Sequence, residues 1–233
     1  MRFALAFALL ALAAGPAAAG CIVPKDLAPA PAYAPPANEV QADVQIAFYL
    51  LAITWTPEWR RINGQTPATT PTLDEARRPQ GFALHGLWPN GKTPPYPRYC
   101  RPVGPIDAGT VRRMYCRTPS AALLQHEWEA HGACSWNDPK AYFAQAAKLY
   151  DAVKLPRIED RAGLTAGQLR QAFVAGNPRL SPAAVFVAAD KERRLTEVRL
   201  CYDLAYKPAA CPGGNGAPDD LALSLTRSGG RRF

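Results

Sequence analysis

The longest apolar runs of the chain predict buried strands, and proline-rich stretches separate them. VQIAFYLLAITW, residues 44–55, is continuously apolar, β-branched and aromatic, which is typical of a strand buried on both faces, and Pro57 ends it. GFALHGLW, residues 81–88, predicts a second buried strand that the sequence Pro-Asn-Gly interrupts. The polar segment between them, residues 58–80, is rich in proline and threonine and is expected to be a loop.

Three later segments have the apolar spacing and the end signals of helices. Ser120 is expected to cap a helix that runs to His131. An aspartate followed by proline begins a second helix over residues 138–153. Thr165 and Gln168 match a capping box for a third helix, which ends before the sequence Gly-Asn-Pro. The apolar face of the second helix comprises Tyr142, Phe143, Ala146, Leu149 and Tyr150.

The remaining segments complete an α+β pattern. AVFVAAD and LTEVRLCYD flank the charged residues 190–194 and predict a hairpin. Residues 92–105 are rich in proline and are expected to form a long irregular loop. Such a loop is uncommon in a compact domain unless it borders a functional site. The pattern predicts one α+β domain.

The N-terminal residues predict export. Residues 1–20, MRFALAFALLALAAGPAAAG, have the charge, short apolar stretch and Ala-x-Ala site of a secretory signal peptide. This stretch is too short for a membrane span, so we expect a periplasmic or secreted protein without a transmembrane segment. Residues 21–43 contain the tract APAPAYAPPA and predict an extended tether, which leaves residues 44–233 as the domain.

Charge and cysteine content narrow the class of protein. The net charge is +8, and it becomes +7 without the signal peptide because Arg2 is lost. This charge suits a polyanionic partner such as nucleic acid but does not identify one. An even number of cysteines in an exported chain favours disulfides over a zinc or redox site. Cys21 follows AAAG, so a bacterial lipid anchor is an alternative to a disulfide there.

All three histidines lie in two short aromatic segments, FALHGLWPN and LLQHEWEAHGAC. His126 and His131 flank a glutamate, as in the zinc motif H-E-x-x-H, but their spacing is i, i+5. On a continuous helix this spacing separates the two side chains by about 140°. Convergence on one metal ion would need a distorted turn, so a zinc hydrolase is disfavoured.

The same segment suits acid/base chemistry. Glu127 and His131 are at i, i+4 and share a helix face, where the carboxylate can hold the imidazole or raise its pKa. His126 can bind an anion, and His85 can face both histidines across a cleft. Two histidines on either side of a phosphate suit RNA transesterification. These residues alone leave a hydrolase, an RNA-binding module and structural histidines open.

FALHGLWPN and LLQHEWEAHGAC resemble the two active-site segments of the ribonuclease T2 family. FYLLAITWTP resembles the first core strand of the family and EVRLCYDLAYKPAACP its C-terminal disulfide hairpin, so the similarity covers roughly residues 44–212. It implies a disulfide-bonded domain with a central antiparallel sheet and flanking helices, acting as an endoribonuclease of low base specificity. It implies no metal or cofactor, and no cleavage of DNA, which lacks the 2′-hydroxyl. We expect a monomer.

The resemblance also implies roles for individual residues. His131 would be the general base on the 2′-hydroxyl, and His85 the general acid at the 5′-oxygen. His126 would bind phosphate, and Glu127 would assist the transition state or hold His131. The products would be a 2′,3′-cyclic phosphate and then a 3′-phosphate, with a pH optimum below neutral because His126 must be charged. Candidates for substrate contacts are Trp88, Asn90, Lys92 and Tyr96.

One position departs from the family pattern. Ala130 stands where the family has a lysine credited with countering charge on the phosphorus. Its loss would remove about 2–4 kcal/mol of transition-state stabilisation unless Lys92 or Arg98 substitutes. A catalytically impaired member that binds RNA or protein is therefore an alternative function. The family comparison also implies the disulfides Cys100–Cys134 and Cys201–Cys211. The remaining two cysteines would form Cys21–Cys116, unless a lipid on Cys21 leaves Cys116 free.

Overall fold

A computed structural model describes residues 21–63, 81–158 and 161–227. Its centre is a four-stranded sheet in the order β2-β1-β4-β3, in which every neighbouring pair of strands is antiparallel. This architecture confirms the predicted α+β domain with a central antiparallel sheet and flanking helices. The predicted signal peptide, residues 1–20, lies outside the described residues. The strands are β1 (Phe48–Trp55), β2 (Phe82–Asn90), β3 (Val185–Ala189) and β4 (Leu195–Tyr202).

The end signals read from the sequence correspond to real helix caps. The Ser120 side chain accepts a hydrogen bond from the backbone N–H of Leu123 at the start of α3. The capping box of Thr165 and Gln168 has both of its hydrogen bonds at the start of α5. The α-helices are α1 (Thr56–Asn63), α2 (Ala108–Met114), α3 (Ala121–Ala130), α4 (Pro139–Ala152) and α5 (Ala166–Gly176).

The structure differs from the sequence prediction directly after β1. A loop was expected over residues 58–80, but α1 occupies its first part through Asn63, and residues 64–80 lie outside the described residues. Pro57 does end the strand, and it also fits the first turn of a helix, where its missing N–H has no intrahelical partner to lose. The buried Glu58 carboxylate accepts hydrogen bonds from the Arg61 guanidinium, which stabilises this polar turn.

Two further elements differ from the sequence prediction: β2 is longer than expected, and α2 was not predicted. Strand β2 continues through Pro89 to Asn90 instead of stopping at the proline. Because β2 is an edge strand of the sheet, a residue without an N–H can be accommodated there. Helix α2 lies directly after the long loop, and its N-cap Asp107 accepts a hydrogen bond from the N–H of Thr110.

Helices α4 and α5 pack on the sheet and enclose the core. Helix α4 contacts β1 and β2, and α5 contacts β3. The predicted apolar face of α4 is buried at Tyr142, Phe143, Ala146 and Leu149. The Tyr142 hydroxyl accepts the N–H of Leu87 at 3.2 Å, which ties the helix to β2. The other face of the sheet borders a cavity.

Residues 21–43, expected to be a tether, contain a turn at residues 25–26 and a 3-10 turn at Ala37–Glu39 but no α-helix or β-strand. They nevertheless lie against the domain, because Leu27 packs on the core and the carbonyl of Pro24 accepts a hydrogen bond from Arg112. Proline prevents regular structure here but does not prevent docking. No helix in the described ranges combines the length and apolar character needed to cross a membrane.

The disulfides are Cys21–Cys116, Cys100–Cys134 and Cys201–Cys211. They are the two pairs that the family resemblance implies and the third pair expected for the remaining cysteines. The sulfur of Cys21, for which a lipid anchor was the alternative, is engaged in its disulfide in this structure.

Candidate active site

A β-bulge in β2 presents His85. Ala52 of β1 pairs with Gly86, whereas the next residue, Ile53, pairs with Leu84, so His85 is the extra residue of the bulge. A bulge breaks the strict alternation of side chains and can aim one residue away from the core. Leu84 is buried in the core, while the side chain of His85 is 29% exposed and lines a cavity.

This cavity has a volume of about 560 Å³ and contains all three histidines in its wall. The sheet supplies part of the lining: Leu50 of β1 pairs with Trp88 on one side and with Cys201 of β4 on the other. Since side chains two residues apart share a face of a strand, Arg199 lies on the same face as Cys201 and also lines the cavity.

The end of α3 brings the other two histidines together. The helix ends at Ala130, and His131 has a non-helical backbone with φ −128° and ψ −54°. The separation of about 140° between His126 and His131 applies only to a continuous helix. Their ring centres are 6.2 Å apart, and the ligand atoms of His126, Glu127 and His131 lie within 4.8 Å of one another. The geometric reason for excluding a metal site was therefore wrong, and the absence of a metal stays a prediction.

Glu127 is buried and faces His85. Its Oε2 accepts a hydrogen bond from Trp88 Nε1 at 2.7 Å, and its Oε1 lies 3.3 Å from His85 Nε2. A side chain at Gly86 would place its Cβ 1.9 Å from Glu127 Oε2, so this approach requires glycine. Burial raises the pKa of Glu127, but the charge and hydrogen bond of His85, the charge of His131 and the hydrogen bond of Trp88 together leave the pKa below its usual value.

The observed side-chain contacts of Glu127 do not match one of the two roles that the sequence suggested for it. Glu127 was expected to assist the transition state or to hold His131. Within the described ranges its side-chain hydrogen bond and ion pair go to Trp88 and His85. The i, i+4 relation gives a backbone bond, from the N–H of His131 to the carbonyl of Glu127 at 3.2 Å, but no side-chain hydrogen bond between these two described residues, because the helix ends at Ala130.

A second carboxylate, not identified from the sequence, also contacts His85. His85 Nδ1 lies 2.6 Å from Glu197 Oε2, and the other oxygen of Glu197 accepts a hydrogen bond from Arg199 Nε at 2.6 Å. Burial lowers the pKa of His85, but the two carboxylates raise it to about 10. His85 is thus held as an imidazolium. The alternation in EVRLCYD was the available signal, because it places Glu197 and Arg199 on one face of β4.

His131 has the opposite electrostatic environment. Burial lowers its pKa to about 4; Glu127 opposes this effect, while the positive charges of His126, His85 and Arg98 add to it. Its Nδ1 is enclosed and has no hydrogen-bond partner in the described part of the chain, so no contact there compensates an imidazolium for its loss of hydration. His131 is therefore neutral.

Trp88 lies between the charged His85 and the neutral His131. Its ring centre is 5.1 Å from that of His85 and 5.1 Å from that of His131. The third histidine, His126, has its Nδ1 3.4 Å from the hydroxyl of Tyr99, which comes from the long loop. Tyr99 is a second site residue that the sequence analysis missed.

The other predicted contact residues divide into two groups. Asn90 is buried and Tyr96 is 48% exposed, and both line the cavity. Lys92 instead lines a neighbouring depression formed by residues 43–47 and 91–95. Of the two cations suggested as substitutes for the family lysine, only Arg98 borders the histidines.

Comparison with known proteins identifies the family of the chain. The Ribonuclease T2 family model matches residues 46–211. A probable ribonuclease of Haemophilus influenzae is 28% identical over 180 residues, covering 73% of this chain and 62% of that protein. Ribonuclease S-2 of Antirrhinum hispanicum is 27% identical over 199 residues, covering 76% of this chain and 80% of that protein. The solved structure of an RNase-related protein from Calystegia sepium has the same fold, with a TM-score of 0.61, 19% identity, and coverage of 77% of this chain and 97% of that one. The chain belongs to the ribonuclease T2 family.

Proposed function

We propose that this protein is an endoribonuclease that cleaves single-stranded RNA by transesterification. The observation that carries this proposal is the opposite protonation of two histidines in one cavity: His131 is neutral and His85 is charged. A pair of titratable groups whose pKa values are driven apart is the arrangement that a general base and a general acid require. Trp88 lies between them and fixes their separation.

In the first step, the Nε2 of His131 takes the proton of the 2′-hydroxyl, because its Nδ1 is enclosed. The 2′-oxygen attacks phosphorus, the bond from phosphorus to the 5′-oxygen breaks, and His85 gives that oxygen its proton. The products are a 2′,3′-cyclic phosphate and a free 5′-hydroxyl. In the second step, water opens the cyclic phosphate to a 3′-phosphate with the two histidines in exchanged roles.

This reaction needs no metal ion, because the nucleophile belongs to the substrate. The Oε2 of Glu127 accepts a hydrogen bond from Trp88, and its Oε1 forms an ion pair with His85 at 3.3 Å. DNA lacks the 2′-hydroxyl and is not a substrate. Trp88, Asn90 and Tyr96 are proposed to contact bases with little specificity, since an aromatic face stacks on any base.

Cationic side chains in the cavity are proposed to stabilise the charge that develops on the phosphate oxygens. His126 and Arg98 lie on the loop and helix side, and Arg199 lies on the sheet side. Ala130, in the place of the family lysine, is fully buried and supplies no charge. If these cations did not compensate, the protein would be an impaired family member that binds RNA, which is the second candidate function.

We expect the purified protein to release acid-soluble nucleotides from RNA in the presence of EDTA, and to leave denatured DNA intact. The His85→Ala/His131→Ala double variant is the blank. Cleavage that disappears in EDTA would indicate a metal-dependent hydrolase, and a wild-type rate equal to that of the double variant would indicate the binding function. Either outcome contradicts the proposal.

The acid and alkaline limits of the pH profile of kcat/KM should reflect the pKa values of His131 and His85. Activity requires neutral His131, so it is lost as the pH falls through about 4. It also requires protonated His85, so it is lost as the pH rises through about 10. Between these limits we expect an optimum below neutral, because the proposed phosphate-binding role of His126 requires a charged imidazole.

Initial rates on a dinucleoside phosphate at constant ionic strength measure this profile. The matched variant is His126→Ala, in which the decline above the optimum should disappear while the outer limits stay. A wild-type rate that still rises from about pH 6 to pH 8 would refute the role of His126.

We also propose export to the periplasm or the medium. Residues 1–20 have the pattern of a signal peptide, and the three disulfides favour an oxidising compartment. The mass of the mature protein would identify the cleavage site and would also reveal a lipid on Cys21.

A further inference from the structure

Residues 21–43, here called the strap, precede the family-matched segment at 46–211 but are fastened to it. At its start, the disulfide between Cys21 and Cys116 attaches the strap covalently to the segment after α2. A proline-rich segment of this kind would otherwise remain extended in solvent. Contacts with the domain, and not the proline-rich sequence itself, therefore hold the strap in place.

Hydrogen bonds fasten the strap at two further points. Arg112 Nη1 donates to the carbonyl of Pro24 at 2.8 Å. At the other end, the N–H of Gln41 donates to the carbonyl of Arg98 at 2.8 Å, and the N–H of Arg98 donates to the carbonyl of Gln41 at 3.1 Å. The second contact ends one residue before Tyr99, the partner of His126.

The middle of the strap is held by a buried carboxylate on the catalytic helix. The N–H of Tyr33 donates to Glu129 Oε1 at 2.7 Å, and this oxygen also accepts a hydrogen bond from Gln125 Nε2 at 2.7 Å. Glu129 is only 3% exposed, so its ordered contacts fix the position of Tyr33 relative to α3. The ring of Tyr33 contacts the ring of Tyr99 in a tilted arrangement, with ring centres 5.9 Å apart.

Tyr99 has an unfavourable backbone conformation. Its φ is 50°, in the left-handed region that residues with a Cβ avoid. Such a residue persists where its surroundings over-determine it, and these positions cluster at functional sites. Tyr99 is 5% exposed, its N–H donates to the carbonyl of Ala130 at 3.1 Å, and the next residue, Cys100, is in a disulfide.

We propose that Tyr33 is a positioning residue for the phosphate-binding His126 and acts through Tyr99. The Tyr99 ring contacts Tyr33, and its hydroxyl lies 3.4 Å from His126 Nδ1. This contact sets the orientation of the imidazole and leaves Nε2 for the substrate. Tyr33 is 50% exposed, so its ring contributes little to the core, and its contact with Tyr99 is its main structural consequence. The inference rests on the proposed role of His126.

The kinetic test compares three strap variants. Tyr33→Ala removes the ring from Tyr99, Tyr33→Phe keeps it, and Ile22→Ala changes another exposed apolar residue of the strap. In Tyr33→Ala we expect KM for a dinucleoside phosphate to rise about tenfold and inhibition by inorganic phosphate to weaken by the same factor, with kcat within about twofold of wild type. Tyr33→Phe and Ile22→Ala should match the wild type. Circular dichroism and intact mass verify that each variant is folded with three disulfides.

A second readout does not depend on RNA cleavage. The chain has three histidines, so their ring signals can be assigned by NMR with single variants. In Tyr33→Ala, the titration of His126 and its response to inorganic phosphate should change, while His85 and His131 keep theirs. Such a change in a protein that does not cleave RNA would leave the inference standing and the proposed function refuted. A lower unfolding temperature with unchanged KM and unchanged His126 signals would show a purely structural strap and overturn the inference.

Discussion

Replacing His131 by alanine is expected to lower kcat for RNA cleavage by about 10³-fold, with KM within about threefold of wild type. The reason is the neutral state of His131, which follows from the burial that lowers its pKa to about 4. Without it, the 2′-hydroxyl keeps its proton when it approaches phosphorus. His85→Ala should cause a loss of similar size at the other end of the reaction, because the 5′-oxygen must leave as an unprotonated alkoxide.

The two losses can be told apart by changing the leaving group. Uridine 3′-(4-nitrophenyl phosphate) releases a stable phenolate that needs no proton. On this substrate we expect His85→Ala to return to within about tenfold of wild type, whereas His131→Ala remains as defective as on RNA. Recovery of His131→Ala instead would reverse the assignment of base and acid. Equal recovery of both variants would contradict any division of roles.

His85→Ala needs its own control, because it removes the partner of two carboxylates. Glu127 and Glu197 both contact the imidazole of His85, and Glu127 is buried. Unpaired buried charge lowers the free energy of unfolding. His85→Gln keeps hydrogen-bonding capacity at this position, so it is the second variant, and thermal unfolding is measured for both.

Replacing Arg199 by methionine is expected to lower kcat/KM by about 10²-fold, mainly through kcat. The guanidinium group lies 5.0 Å from the centre of the Trp88 ring and lines the cavity that contains the histidines. Its Nε is bound to Glu197, which fixes the group on the sheet side of the substrate. Negative charge increases at the phosphate oxygens in the transition state, so a fixed cation stabilises that state more than the ground state.

Lys92→Met is the matched control, because Lys92 is a cation in a neighbouring depression and does not line this cavity. It should keep kcat/KM within about twofold of wild type at moderate salt. If Arg199→Met were equally mild, Arg199 would not compensate for the missing charge at Ala130. Loss of activity in Arg199→Met without loss in Lys92→Met would identify the compensating cation.

The elements that could be predicted from the sequence depend on neighbouring residues. Strand β1 follows from a continuous apolar run, and the starts of α3 and α5 follow from side chains that bond to N–H groups three residues away. Where a local signal is compatible with two elements, the sequence did not predict the observed one. A proline that ends a strand can also begin a helix, which is why α1 was taken for a loop.

The catalytic candidates divide in the same way. His85, His126, Glu127 and His131 were found because short motifs carry them. Their contacts were not predictable, because each depends on a break in regular structure. A one-residue bulge turns His85 into the cavity, and the end of α3 at Ala130 brings His131 towards His126.

The sequence by itself determined the family and the fold class and predicted the candidate active-site histidines, since local patterns and motifs encode them. Only the tertiary structure decided which groups set the charge of those histidines. Glu197 is 112 residues from His85 along the chain and reaches it through strand pairing. The docking of residues 21–43 beside Tyr99 likewise depends on a disulfide and on hydrogen bonds between distant segments. Contacts of this kind are fixed by register and packing across the whole domain, which no local pattern records.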